Sequence, residues 1–223
     1  MAATIDRLVR SGRRTVGLTV TRDGHLVVRA PHRLPEAEIL RIIQAKAEWI
    51  RRTQARLRAR TAERPLHRYE QGEAFMILGD SHLLEIVDGP RPRLGFDGAF
   101  HLTASGVPRA RALFEAWYRR HAAAVFAERA VLWGGRMGAA PSRIVISGAR
   151  TKWGSCDARG VVRFAWRLVM APSAIVDYVV VHELAHLRVR GHRRAFWALV
   201  EARLPDWRDR RRWLADRGHT LDL

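Results

Sequence analysis

Cysteine, asparagine and long apolar runs are scarce or missing in this sequence of 223 residues. Cys156 is the only cysteine, which excludes an intrachain disulfide and a cysteine-rich metal site. No run approaches the roughly 18 apolar residues that a membrane helix requires, and the N-terminus lacks an apolar block of signal-peptide length. These absences predict a cytoplasmic protein without a membrane partner, in which any metal must be bound by histidine and carboxylate side chains.

Positive charge is in large excess. Lys and Arg number 40 against 22 Asp and Glu, which gives a formal net charge of +18. Such a charge predicts attraction to phosphate in nucleic acids, nucleotides or membrane surfaces. Only Lys46 and Lys152 are lysines, however, and the coding bias of a GC-rich genome produces the same arginine excess. Because the basic residues are spread along the chain, solvated surface is the favoured interpretation and a nucleic-acid partner stays a hypothesis.

The first third of the chain has the patterns of strands and one long helix. Residues 15–29 alternate between apolar and polar on both sides of Asp23-Gly24, which predicts a β-hairpin. Apolar side chains recur every three or four residues over 36–60, which predicts a single amphipathic helix. Residues 75–87 predict a second hairpin around Gly79-Asp80. We therefore predict an α+β fold with a β-rich N-terminal segment.

A domain boundary is predicted near residue 105. The Gly/Pro-rich stretch 89–98 has the composition of a linker or irregular loop, and Pro108 lies near the start of a helix predicted to end at about Met137. The chain is thus divided into a β-rich N-terminal segment, 1–105, and a second domain, 106–223. The expected inner face of the helix consists of Leu113, Trp117, His121, Ala124 and Val125. We expect His121 to be packed or capping and not a metal ligand.

The main functional motif is HELAH at 182–186. It lies in an apolar helix predicted to begin at Pro172-Ser173, with Ser173 as the cap or Pro172 in the first turn. Histidines four residues apart project from one helix face, so His182 and His186 can bind the same tetrahedral zinc ion. Glu183 lies about 100° further round the helix, where it can take a proton from a metal-bound water.

A catalytic zinc site needs a third protein ligand and one open position. Gly191 is suited to end the helix in a left-handed conformation, and His192 directly after it can supply that ligand. The interval from His186 to His192 matches the metzincin pattern, but this chain has Val189 where that pattern has glycine. The sequence therefore predicts a three-histidine site without indicating a metzincin. A structural zinc site is the alternative, and it would not require Glu183.

Segments on either side of the motif supply further candidates. The stretch TKWGSCDARGVVRFAW predicts two strands around a turn at Asp157 to Gly160. A strand next to the metal can hold an extended peptide by strand addition. Lys152 and Arg167 are candidates for stabilising an oxyanion or a phosphate. The candidate substrate-binding residues are Lys152, Trp153, Ser155 and Arg167.

Other side chains near the motif are expected to be structural. Cys156 is interpreted as a small buried apolar residue, since a metal-activated water would already supply the nucleophile. Phe196 and Trp197 lie on a short predicted helix and are expected to hold His192 in place. Glu201 has three open interpretations, which are a partner of a ligating imidazole, a fourth ligand and a surface carboxylate.

The chain resembles the YgjP-like metal-dependent hydrolases, a zinc metallopeptidase family distantly similar to SprT-like and other zincin proteins. The resemblance is carried by RRTVGLTVTRDGHLVVRAP and KAEWI in the N-terminal part, and by TKWGSC, WRL and DYVVVHELAHL in the C-terminal part. It implies that His182, His186 and His192 bind Zn²⁺ and that Glu183 is the catalytic acid/base. It also implies a zincin-like catalytic part after the β-rich segment.

Three positions depart from the family pattern. Lys152 stands where the family usually has arginine, and Ala165 and Gly191 stand where it usually has asparagine. Because the whole chain lacks asparagine, a drift in composition is a sufficient explanation for two of them. The departures concern residues that would face a substrate, and no proposed ligand is among them.

The sequence thus predicts a zinc-dependent hydrolase, and the resemblance implies a peptide substrate. Two alternatives stay open. The same metal could support hydrolysis of a nucleotide or another phosphoanhydride, which the arginine excess would suit. The protein could instead be associated with nucleic acid, either with structural zinc or as a protease that acts on DNA-bound targets.

Overall fold

Helices and strands are mixed along the chain in the computed structural model, which describes residues 4–21 and 23–223. This confirms the predicted α+β class, in which a long helix follows a β-rich N-terminal part. Contacts between residues divide the chain into two units, Met1–Arg64 and Pro65–Leu223. The boundary expected near residue 105 therefore lies inside the second unit. Among the described residues, no helix has both the length and the apolar character needed to cross a membrane.

The first unit contains a three-stranded sheet and two helices. Strand β1 (Arg7–Ser11) pairs in parallel with β3 (Leu26–Pro31), and β2 (Gly17–Val20) pairs with the other edge of β3 in antiparallel orientation. Helices α1 (Glu36–Ala45) and α2 (Ala47–Ala62) follow. The core of this unit consists of Leu26, Val28, Ala30, Ile39, Ile43 and Ile50.

The predicted hairpin of the first unit is confirmed, but the predicted single helix is interrupted. Strands β2 and β3 form the hairpin, and Gly24 in its turn has a left-handed φ of 84°. Lys46 has φ −108° and ψ 9°, which separates α1 from α2. Neither glycine nor proline marks this break, and Ile43 and Ile50 keep their helical spacing across it, so periodicity alone predicts one helix.

The second unit begins with a four-stranded sheet. Its strands are β4 (Ala74–Ile77), β5 (Asp80–Val87), β6 (Leu94–Phe96) and β7 (Phe100–Thr103). They are arranged in the order β4-β5-β7-β6. The predicted hairpin at Gly79 is confirmed. The Gly/Pro-rich stretch 89–98 is not a linker, because β6 lies within it and pairs with β7. A strand of only three residues with a central glycine shows too little alternation to be recognised.

Helix α3 (Ala110–Met137) follows a 3₁₀ turn, Ala104–Arg109, which contains Pro108. Its buried face is shifted by one residue from the expected one and includes Phe114, Tyr118, Ala122, Val125 and Phe126. Ala124 is exposed, and Leu113, Trp117 and His121 are only half-buried. The expected face is wrong except at Val125, because apolar side chains occupy adjacent positions and one residue rotates a helix face by about 100°. His121 stacks on Trp117 with ring centroids 4.8 Å apart, which fits the packed interpretation.

A second sheet and three helices complete this unit. Strand β10 (Val161–Ala165) is central, with β8 (Arg143–Ser147) parallel on one side and β9 (Gly154–Cys156) antiparallel on the other. The helices are α4 (Ser173–Ala185), α5 (Arg194–Glu201) and α6 (Trp207–Arg217). Pro172 occupies the N-cap position of α4 and makes no side-chain capping hydrogen bond, and Ser173 is the first residue of the helix. Because β9 pairs only with β10, it forms an edge of its sheet.

A nearly buried ion pair ties the last residues of the chain to the core of the second unit. Arg167 Nε donates to Asp222 Oδ1 at 2.8 Å, and the two side chains are 7% and 15% exposed. Burial alone would raise the pKa of Asp222, but the hydrogen bond from Arg167 and the charges of Arg167 and Arg150 lower it below its ordinary value of 3.8. The pair therefore stabilises the fold in the ionised state of Asp222.

We expect Asp222→Asn to lower the free energy of unfolding by about 3 kcal/mol at pH 7, because it leaves the Arg167 charge without its carboxylate. The folded-state pKa of Asp222 is depressed, so this difference is present above pH 3.8 and is lost as the pH falls through the folded-state pKa. Urea denaturation at several pH values measures it. Asp209→Asn, which removes an exposed partner of Arg212, is the matched control with little expected change.

Candidate metal centre

Three imidazole rings converge at the end of α4. His182 Nε2 and His186 Nε2 lie 3.0 and 3.1 Å from His192 Nε2. In the described residues, these side chains form a group of possible metal ligands whose donor atoms all lie within 4.8 Å of one another. The structure therefore brings together the three histidines that the sequence indicated.

The geometry follows from one helix and the turn after it. His182 and His186 are four residues apart, and α4 ends at Ala185 with His186 at its C-cap. The chain then turns, and Gly191 has the expected left-handed φ of 75°. The helix ends earlier than expected, so Gly191 shapes the returning loop and not the helix end itself. His192 follows and points its ring at the other two.

Aromatic side chains from α5 hold the three rings. Phe196 is buried and stacks on His186 with centroids 4.4 Å apart, and it meets His182 and His192 edge-on. Trp197 Nε1 donates to the backbone oxygen of His192 at 3.1 Å. The indole of Trp197 stacks on Trp207 of α6 at 4.1 Å. This packing fits the expectation that Phe196 and Trp197 hold the third histidine in place.

Burial keeps His182 and His186 in the form that can bind a metal. Burial, together with the nearby charges of His186, His192 and Arg211, lowers the pKa of His182 to about 3. Burial also lowers the pKa of His186. His186 Nδ1 lies 3.4 Å from the Val189 oxygen, so a proton on Nδ1 leaves the Nε2 lone pair facing the cluster. Both rings are therefore neutral at physiological pH, as a metal ligand must be.

The donor set fits a tetrahedral divalent ion. Zinc–nitrogen bonds of about 2.0–2.1 Å at tetrahedral angles separate ligand nitrogens by about 3.3 Å, close to the spacing of these Nε2 atoms. The buried Nδ1 of His182 has no hydrogen-bond partner in the described residues. Ring packing against Phe196 and Tyr178 therefore orients His182, in place of the carboxylate or carbonyl that usually does so.

Glu183 lies beside the histidines and against strand β9. Its side chain is buried, and burial raises its pKa to about 7, which the charge of Lys152 partly opposes. A Cβ atom at Gly154 would lie 2.5 Å from Glu183 Oε1 and 2.6 Å from its Cγ. Only glycine at position 154 therefore lets the carboxylate take this position. Sequence reasoning missed this role, although a glycine inside a strand often marks such a close approach.

A cavity of about 370 Å³ opens in front of these groups. Edge strand β9 forms one wall, and the loop between α4 and α5 forms another. Its lining residues are Gly154, Ser155, Cys156, His182, Glu183, His186, Arg190, Gly191 and His192. The cavity thus presents three histidines and one carboxylate beside the edge strand β9.

The four candidate substrate-binding residues have different surroundings. Ser155 lines the cavity, and Lys152 is exposed and close enough for its charge to act on Glu183. Trp153 packs its indole against Gly218, and it is absent from the cavity lining. Arg167 is also absent from that lining, because it is buried in the ion pair with Asp222. The structure therefore brings one of the four, Ser155, to the cavity lining, and Lys152, which is also absent from that lining, acts on Glu183 through its charge.

The structure also shows the surroundings of Glu201 and Cys156. Glu201 is exposed and accepts a hydrogen bond from Arg208 at 2.6 Å, so it is a surface carboxylate in this structure. Cys156 is half-buried, and burial raises the pKa of its thiol. A thiol with a raised pKa is a poor nucleophile, in line with the structural interpretation.

The fold and the site define the class of this protein. It is an α+β protein with a candidate metal centre of three histidines, next to a carboxylate on a buried helix. The family model described as "YgjP-like, metallopeptidase domain" matches residues 14–217. The chain therefore belongs to the YgjP-like metallopeptidase family, and the resemblance seen in the sequence is confirmed. This family implies a metal-dependent peptidase with a divalent metal. Searches of curated proteins and of solved structures found no match.

We expect Trp197→Phe to weaken Zn²⁺ binding about tenfold, because the indole N–H no longer holds the His192 carbonyl while the ring packing is largely kept. Competition with a chromogenic chelator measures the affinity. Trp49→Phe, at an indole that is 43% exposed in the first unit, is the control. Equal Zn²⁺ affinities of the wild type, Trp197→Phe and Trp49→Phe would show that the hydrogen bond from Trp197 does not position His192.

We expect Gly154→Ala to lower hydrolytic activity about a hundredfold while Zn²⁺ affinity stays within about threefold, because the new methyl group displaces only the Glu183 carboxylate. Gly135→Ala is the matched control, since a Cβ there meets nothing within 4 Å. Chelator competition and a peptidase assay on the same preparations separate the two effects. Unchanged activity in Gly154→Ala would contradict the role assigned to this contact.

Proposed function

We propose that this protein is a zinc-dependent peptidase, in which His182, His186 and His192 hold the ion and Glu183 is the general acid/base. The observation that carries the proposal is the convergence of three imidazoles beside a buried carboxylate. Membership of a metallopeptidase family supports peptide as the substrate class. A purely structural zinc site would not need a carboxylate in this position.

Three histidines and no fourth side-chain ligand are typical of a catalytic zinc site. Glu201 is engaged with Arg208, and Cys156 does not belong to the cluster of donor atoms. One coordination position would thus face the cavity. When bound, the ion supplies Lewis acidity, which polarises a substrate carbonyl and makes water more acidic.

Glu183 is suited to exchange a proton at neutral pH. A general acid/base works best when its pKa is near the working pH, and burial brings the Glu183 pKa to about 7. Its carboxylate can accept a proton from the attacking water and return that proton to the leaving amine. Gly154 leaves the space that the carboxylate occupies, so the proton would be exchanged next to β9.

Strand β9 can hold the substrate. Its residues pair with β10 on one side only, with Gly154 opposite Phe164 and Cys156 opposite Val162. The residues of this edge strand line the cavity. An extended peptide can add to such an edge through main-chain hydrogen bonds, which would place its carbonyl groups next to the histidines and Glu183.

The proposal is tested with Glu183→Gln in the full chain loaded with Zn²⁺. We expect the zinc content to stay unchanged, while hydrolysis of casein and of a peptide library falls by about 10²- to 10⁴-fold. Glu201→Gln is the matched control, because it changes an exposed carboxylate outside the cavity. Full activity of Glu183→Gln would contradict the acid/base role. Hydrolysis of nucleoside triphosphates without peptide hydrolysis would show that the substrate class is wrong.

A further inference from the structure

The net charge of the chain is not evenly divided between the two units. Met1–Arg64 contains 15 Lys and Arg against 6 Asp and Glu, so 64 of the 223 residues carry a net charge of +9, half of the total of +18. Within this unit, residues 46–64 contain seven Lys and Arg against two Glu. This segment includes helix α2. Positive charge is therefore concentrated at one helix of the first unit.

Helix α2 presents a row of arginines on a side that is turned away from the core. Ile50 is fully buried in the core of the first unit. Each residue turns an α-helix by about 100°, so four side chains share a sector of about 80° that is centred about 120° from Ile50. They are Trp49, Arg52, Arg56 and Arg60, of which the first three are exposed and the last is half-buried. We call these four residues the basic face of α2.

The spacing of the basic face suits a chain of phosphates. Its three arginines recur every four residues, so neighbouring ones are about 6 Å apart along the helix axis. Successive phosphates of an extended nucleic-acid strand have a similar separation. Each arginine can therefore reach a different phosphate of one strand.

The ion pairs at the start of α2 leave the basic face open to a ligand. Glu48 Oε2 lies 2.7 Å from Arg51 Nη2, and Glu48 Oε1 lies 3.5 Å from Arg52 Nε. All three side chains are more than 60% exposed, and exposed pairs of this kind contribute little free energy. Arg52 can thus exchange Glu48 for a phosphate at small cost. Glu63 at the C-cap is the other carboxylate of this segment.

Trp49 gives the basic face a second kind of contact. Its side chain is 43% exposed, although that of the adjacent Ile50 is 0% exposed. An indole left in water can stack on an unpaired base, and this contact tolerates any base because every base has a π-face. Basic side chains along the backbone with an aromatic side chain beside them are typical of single-strand binding. A duplex, in contrast, conceals the faces of its bases.

An anionic membrane would also attract arginine, but it fits this helix less well. A helix that lies in a membrane surface buries an apolar face among the lipids. In α2, Ile50 is buried and Leu57 is half-buried within the protein. Among the described residues of α2, Trp49 is the only large apolar side chain that is exposed. The helix therefore has no free apolar face for a bilayer.

We propose that the basic face of α2 binds single-stranded nucleic acid, with the three arginines on successive phosphates and Trp49 stacked on a base. The binding site lies in the first unit and includes none of the residues of the candidate metal centre. Nucleic-acid binding is thus a second function, and it does not depend on the proposed peptidase function.

Fluorescence anisotropy tests the proposal, with the full chain and a labelled oligothymidylate of about 20 nucleotides at several KCl concentrations. Three phosphate contacts predict that the logarithm of the association constant falls with the logarithm of the salt concentration with a slope of about −2. Arg56→Gln should reduce the size of this slope by about 0.7. Trp49→Ala should weaken binding about tenfold without changing the slope. Arg212→Gln, at an exposed arginine paired with Asp209 in the second unit, is the charge-matched control and should change neither quantity.

Three other probes make the test specific. An abasic strand of the same length should bind Trp49→Ala as tightly as the wild type, because no base is left to stack on the indole. A matched duplex and phosphatidylserine vesicles should both bind the wild type more weakly than the single strand does. Because Trp49 and Arg56 are exposed, we expect both variants to fold, which circular dichroism checks.

Several results would overturn the proposal. These are no binding of the oligonucleotide by the wild type, an unchanged affinity and slope in Arg56→Gln, an unchanged affinity in Trp49→Ala, or tighter binding of the duplex or the vesicles. Casein hydrolysis by Trp49→Ala and Arg56→Gln should equal that of the wild type. Failure of nucleic-acid binding is therefore distinguishable from failure of the peptidase function.

Discussion

Burial of ionisable groups on an otherwise apolar helix is the constraint on which the second unit depends. Nine of the 13 residues of α4 are buried, and Glu183 is one of them. Removing such groups from water is costly unless they become neutral or find partners. The same burial that stabilises the fold thereby keeps His182 uncharged and raises the pKa of Glu183 to about 7. The chemistry proposed for the site is thus a direct result of the packing.

Elements that depend on local sequence could be predicted. The spacing of His182 and His186 is a property of one helix, and the left-handed conformation of Gly191 is a property of one residue. The three strand pairs joined by short turns were likewise predictable, because alternation and turn residues are read within about 15 positions. The three histidines therefore follow from short-range rules, and their convergence in the structure fits that expectation.

Features that depend on contacts between distant segments could not be predicted. Nothing near Gly154 in the sequence indicates that Glu183 lies against it, and nothing near Arg167 indicates its pairing with Asp222. The position of Trp197 beside His192 was expected, but its hydrogen bond to the His192 backbone depends on the turn between α4 and α5. Short strands are a related case, since β6 became part of the sheet through its pairing with β7.

The contact between Gly154 and Glu183 also limits how this site can change during evolution. Any side chain at 154 meets the carboxylate, so a substitution there is tolerated only if position 183 changes as well. Conversely, a descendant that loses the glutamate has no further steric reason to keep the glycine. The two positions, 29 residues apart in sequence by their numbers, should therefore vary together, and a chain with a larger residue at 154 should be a pseudoenzyme.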